Sequence, residues 1–252
     1  MPKSAAIRRV ESRVYPAGRA LVLFGIGDAG LTGRRLVVDG RRLQGLRFGR
    51  LALFVAYVDP LEYAPEEIER RRLRESWLWN EARIHERAVE RAATHGAVVP
   101  ARLLTVFPDW ASLERGAVEQ AARWSRALGR IAAQRECVLH VFVGPHAPPG
   151  RVPYLVRVTE RAARTARGPA LKGDPRLCEH VTALRRACAE ASAATRRIVS
   201  SSERGALLSA AFLTGDAGLE TMRQAVERSA EAGASLGVTA YLEGPRAPFT
   251  FV

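Results

Sequence analysis

LRESWLWNEARIHERAVERAATHGAVVPARLLTVF, Leu73–Phe107, joins a long helical pattern to a β-type run. At 100° per residue, Leu73, Trp77, Leu78, Ile84, Ala88, Val89 and Ala92 fall within a face about 160° wide. Glu81 and His85 lie in the middle of that face at i, i+4 spacing, within reach of one another. Thr94-His95-Gly96 closes the helix, with Gly96 expected in the left-handed conformation. Ala97–Phe107 is rich in β-branched and apolar residues and reads as a buried strand leaving the helix. A helix with so broad an apolar face, followed by a strand, needs a sheet to pack on.

The rest of the chain supplies it. Residues 1–18 lack an apolar period and read as a mobile basic arm. Arg19–Gly25 is a first strand. Gly25-Ile-Gly27-Asp-Ala-Gly30 has the spacing of a dinucleotide fingerprint, but no helix follows to hold a pyrophosphate, so these read as turn glycines. Val37–Gly40 is a short β-type run with a turn. Leu51–Val58, eight apolar residues in a row, suits a central strand. Pro65-Glu66-Glu67 then opens a helix expected to run to about Thr94. Asp109 is a plausible N-cap for a helix over 110–130 with Leu113, Ala117, Ala121, Trp124 and Leu128 inward.

In the second half, Glu136–Val143 is a strand, Gly144–Pro153 a proline-rich loop, and Pro153–Arg167 the start of a helix. Asp174 caps a helix with Pro175 at its first position, and Leu177, Val181, Leu184, Cys188, Ala191, Thr195 and Ile198 make its stripe. Arg197–Ser202 is a candidate extra strand. Gly205–Leu213 is a strand, Asp216 caps a last helix, and Gly237–Leu242 is the final strand before a tail, 243–252. The expected architecture is α+β in two domains, 19–134 and 135–252, the second in a split βαβ order.

The net charge of +13 is the unusual feature of the composition. Residues 1–50 carry eleven Lys/Arg against three acids, and only Lys3 and Lys172 in the whole chain are lysines. Such an arm can meet nucleic acid, an anionic surface or an acidic partner, or be a solvated arm. No apolar run approaches the roughly 20 residues that span a bilayer, and no signal peptide is evident. The expected location is therefore the cytosol. Three cysteines argue against a disulfide framework and read as small buried residues.

Chemistry is sparse. His85-Glu86 resembles the start of a zinc-protease helix, but Val89 stands where the second histidine belongs. There is no Walker loop, nucleophile elbow or paired-cysteine motif. No cofactor or metal is expected. Glu81 and His85 remain as a pair for proton chemistry or, on the bland reading, as a satisfied polar contact.

Four segments in order resemble the gas vesicle protein F/L family (GvpF/GvpL) over most of residues 19–252. Leu21–Ile26 resembles its Leu-Tyr-Gly-Ile type first strand and Leu51–Val58 its second. His85–Glu90 with Val99–Phe107 is similar to its His-x-x-Val-Leu helix and Leu-Pro-x-Arg-Phe-Gly-Thr strand. Gly244–Val252 is similar to its terminal Gly-Pro-Trp-Pro-Pro-Tyr-Ser-Phe. Leu103-Leu104 replaces Phe-Gly, and Arg246-Ala247 replaces Trp-Pro, which removes the tail's largest aromatic.

The resemblance implies a non-enzymatic accessory protein of gas vesicle formation whose first domain is a modified ferredoxin-like fold. Its implied partners are the small, apolar shell protein (GvpA type) and other vesicle accessory proteins, with no membrane partner. Its signature and candidate interaction positions are Glu81, His85, Pro100, Arg102, Thr105, Phe107, Gly244, Pro245, Pro248, Phe249 and Phe251. The alternative functions are an arginine-rich nucleic-acid-binding protein and an enzyme built on Glu81 and His85.

Overall fold

The structure, a computed structural model, describes residues 18–144, 174–198 and 206–251. Those up to Ala132 form one compact unit and those from Ala133 a second. Each is built on an antiparallel sheet.

The first sheet contains β1 (Ala20–Asp28), β2 (Arg35–Val38), β3 (Arg41–Phe48), β4 (Leu51–Val58) and β5 (Val98–Phe107), in the order β2-β3-β4-β1-β5. The unbroken apolar run of β4 sits at the centre and is buried along nearly its whole length, as a strand covered on both faces must be. Gly25 and Gly27 lie inside β1, not in a turn. A Cβ on Gly25 would stand 2.8 Å from the Val98 side chain and 3.1 Å from the Val99 carbonyl, so this glycine serves close strand approach. The Val37–Gly40 run proves to be half of a hairpin: Asp39 and Gly40, at φ 48° and 80°, make a two-residue turn between β2 and β3.

The single helix expected up to Thr94 is two, α1 (Pro65–Arg72) and α2 (Glu75–Ala93), separated where Arg74 becomes extended. Ile68 is the sole large apolar residue of α1, so a continuous helix would carry two turns with nothing to bury. Leu73, placed on the inner face by periodicity, is 82% exposed, while Ile84, Ala88, Val89 and Ala92 are buried. Gly96 is not left-handed, and a Cβ there would meet the Leu31 side chain at 3.4 Å, an ordinary van der Waals distance, so neither backbone conformation nor crowding requires glycine there. β5 is an edge strand, buried at Val98–Pro100 and half-buried or exposed beyond. After it, α3 (Trp110–Ile131) is capped by Asp109, which accepts the Ser112 N–H at 2.7 Å. Leu113, Ala117 and Leu128 are buried as expected, with Ala121 and Trp124 half-buried.

The second sheet has the order β7-β8-β6-β9, with β6 (Arg135–Val143), β7 (Ala194–Arg197), β8 (Ala206–Thr214) and β9 (Val238–Arg246). Helices α4 (Pro175–Glu190) and α5 (Asp216–Ser235) bury Val181, Leu184, Cys188, Met222 and Ala225 against Leu139, Val141, Ala210 and Phe212. Asp174 caps α4 by accepting the Arg176 N–H. The stripe stops short of Thr195 and Ile198: the chain leaves the helix at Ala191, and Ala194–Arg197 pairs with β8. The extra strand thus precedes the expected Arg197–Ser202. Asp216 is the first residue of α5 and Gly215 its N-cap. The helix expected over Pro153–Arg167 lies outside the described residues.

Candidate interaction sites

Glu81 and His85 share the sheet-facing side of α2, but their polar atoms have different partners. Glu81 holds Arg41 by both oxygens, at 2.7 and 2.9 Å, and Arg41 also donates to the Tyr63 hydroxyl at 2.7 Å. Beyond it on the same helix, Arg87 and Arg83 reach Asp39 at the hairpin tip, at 2.7 and 3.4 Å. Together these fasten the β2–β3 hairpin to α2. Burial, reinforced by the Glu81 charge, pushes the Tyr63 phenol up to about 12. Burial also opposes the Arg41 charge, but Glu81 more than offsets it and the guanidinium is held above its ordinary value.

His85 packs its ring on Phe24, with centroids 5.3 Å apart, and donates from Nε2 to the Ala101 carbonyl at 3.0 Å. That carbonyl opens an irregularity in β5. Pro100 faces Gly25 and Thr105 faces Leu23, so Ala101–Leu104 are set against Phe24 alone. Leu104 is left-handed at φ 59°, and the Thr105 hydroxyl donates to the Arg102 carbonyl across the loop. His85 therefore pins a bulge from below. Burial lowers its pKa to about 4, with the Ala101 bond opposing, so the ring is neutral at physiological pH. Pro100 is buried, Arg102 exposed, and Phe107 half-buried.

A larger polar chain, for which no motif signalled, crosses the second unit. Glu136, fully buried, accepts from Arg246 Nε and Nη2 at 3.2 and 3.1 Å, and from the Thr250 N–H and hydroxyl at 2.7 and 2.8 Å. Arg246 also donates to Glu243 at 3.0 Å; Glu243 accepts from His140 Nε2 at 3.0 Å, which leaves Nδ1 to accept the Ser209 hydroxyl at 3.1 Å. The tail beyond β9 is folded, not extended: Ala247, Pro248 and Phe251 are buried and Phe249 is half-buried. Arg196 lies over the Phe251 ring and donates to the Thr250 carbonyl. Gly244 and Pro245 are exposed, and Gly244, at φ 114°, passes so close to the Glu136 carbonyl that a Cβ would stand 2.8 Å from it. Arg246 is thus the centre of the tail's anchor.

Glu81 and His85 are buried and bound elsewhere, and Ser209 and His140 are buried as well, despite their serine–histidine–glutamate order. Burial pushes the Cys137 and Cys188 thiols up to about 11, which keeps them protonated. Trp79 is half-buried, as are Trp77, Trp110 and Trp124. Among the described residues, no helix is long and apolar enough to cross a membrane.

The two-sheet arrangement has solved counterparts. The chain is similar to the crystal structure of the gas vesicle protein GvpF from Anabaena sp. PCC7120, with a TM-score of 0.65 at 13% identity over 92% of this chain and 98% of that one. The corresponding crystal structure from Microcystis aeruginosa gives 0.63 at 13% identity, with the same coverage. A comparison with curated proteins found no match. The family model for the gas vesicle synthesis protein GvpL/GvpF matches residues 20–252. The chain belongs to the GvpL/GvpF family. The family assignment gives it a role in gas vesicle formation.

Proposed function

We propose that this GvpL/GvpF protein serves gas vesicle formation by binding the small, apolar shell protein before it assembles, without catalysing a reaction. The observation that carries the reading is the family match across residues 20–252. The physical need is plain: a shell subunit that exposes apolar surface before assembly aggregates unless another surface covers it. The first unit supplies that surface. Leu61 and Leu73, 80% and 82% exposed, bracket α1, a helix with no buried residue of its own. An apolar partner that covers both leucines removes this exposure and gives α1 a surface to pack on.

Co-expression of tagged full-length chain with the shell protein tests the reading. The chain is expected to retain the shell protein on an affinity column and to keep it in the supernatant. Leu61→Glu with Leu73→Glu is expected to lose most of that retention while unfolding at an unchanged temperature. Failure of the full chain to retain any shell protein would overturn the reading.

A further inference from the structure

The β2–β3 hairpin ends the first sheet, and among the described residues β2 pairs only with β3. In a two-residue hairpin the pair flanking the turn is hydrogen-bonded, and bonded pairs alternate along the ladder. Val38/Arg41 is that flanking pair and Leu36/Leu43 the next bonded one. Arg35 and Val37 therefore turn their N–H and C=O groups outward, to the free edge. Val37 is β-branched and apolar, yet 64% exposed.

A groove of about 390 Å³ runs beside this edge. One wall is Val37, Val38 and Asp39; the other is α2, through Arg87, Glu90 and Arg91. An open strand edge facing a helix across a groove is the arrangement by which extended peptides are added to a sheet, with alternate side chains entering the groove. The groove itself carries the acids Asp39 and Glu90 beside Arg87 and Arg91, and the exposed surface around it adds further arginines. Asp39 is held by Arg83 and Arg87, while Arg35, Arg42 and Arg91 are exposed and have no ion-pair partner among the described residues. Basic residues on an edge discourage pairing with ordinary strands, and they select an acidic one.

We propose that the outer edge of β2 is a strand-addition site for an acidic, extended segment of a partner polypeptide, with the β2–α2 groove taking its alternate side chains. The site is defined by backbone and charge, so it does not depend on the shell-protein reading. Two outward residues offer at most four backbone bonds, which by themselves support only about millimolar affinity, so the groove contacts and the charge must bring it into the micromolar range.

The test uses the full chain and a fluorescein-labelled octapeptide that alternates valine with glutamate, followed by fluorescence anisotropy. Micromolar binding is expected. It should weaken about tenfold or more when alternate amides of the peptide are N-methylated, because the charge is kept and the ladder lost. Val37→Pro should weaken it comparably, since an edge strand tolerates proline where the N–H faces outward. Arg35→Glu with Arg42→Glu should shift preference to the valine–lysine peptide. Circular dichroism checks that each variant folds; the N-methylated peptide tests the native chain whatever that check shows. No binding at millimolar peptide overturns the proposal. So does equal binding of the N-methylated peptide, or tighter binding of an oligothymidylate that displaces it, which would assign these arginines to nucleic acid.

Discussion

Each unit holds a glutamate–arginine pair, and the two do different work. Arg41–Glu81 is a two-oxygen fork whose arginine keeps an 18% exposed side chain. Arg246–Glu136 is closed to solvent at both ends and shares its carboxylate with Thr250. The first ties a hairpin to a helix from one side, with water still beside the guanidinium. The second ties the end of the chain to a strand more than a hundred residues earlier. Burying a charge costs several kcal/mol, and its partner offsets that only while the pair is intact. Breaking the enclosed pair should therefore cost more.

The largest expected effect is Glu136→Gln, which removes the fully buried one of the two carboxylates that Arg246 holds, leaves only the partly exposed Glu243, and should destabilise the chain by about 3–5 kcal/mol. Urea unfolding measures it, and Glu136→Gln with Arg246→Met should recover much of the loss. If Glu136→Gln costs no more than Glu81→Gln, the contrast between the pairs collapses.

The next effect depends on pH. His85 is neutral when folded, with a pKa lowered to about 4, whereas the unfolded ring titrates near 6.5. Between these values the unfolded state binds more protons, so stability is intact above about pH 6.5 and falls toward pH 4, by roughly 3 kcal/mol in all. Unfolding followed from pH 7 to 4 should show this slope in the native chain and a shallower one in His85→Gln. Equal slopes would remove His85 as the cause.

Glu81→Gln ranks third, at about 1–3 kcal/mol, because Arg41 can rehydrate in place. The smallest is Leu104→Gly. A leucine at φ 59° carries a left-handed penalty of about 1–2 kcal/mol, and the family resemblance puts glycine at this position. The substitution relieves that strain and loses a half-buried side chain, so thermal unfolding should shift little. Leu104→Val, β-branched in the same conformation, should lower the midpoint clearly.

Residue order alone announced β4, the inner face of α2, and the caps at Asp109 and Asp174, because periodicity and capping are local and need no partner to be known. It located the helix–strand pair at 75–107, and with it Glu81, His85, Pro100, Arg102 and Thr105. It did not reveal that Glu81 and His85 part company, since i, i+4 spacing says what can touch and not what each atom prefers. The β2–β3 hairpin escaped because its strands are rich in arginine, and its Asp39-Gly40 signal is short. The bulge at Ala101–Leu104 exists only in relation to β1, so no inspection of β5 by itself exposes it.

The primary structure thus settled where most of the apolar surfaces lie and which of the strongly periodic segments are helix or strand. The folded chain alone chose the partners of the charged residues: Arg41 for Glu81, Ala101 for His85, and Arg246 with Thr250 for Glu136. Hydrophobic burial follows local periodicity, whereas a buried charge is satisfied only by groups that the whole fold brings within about 3 Å of it.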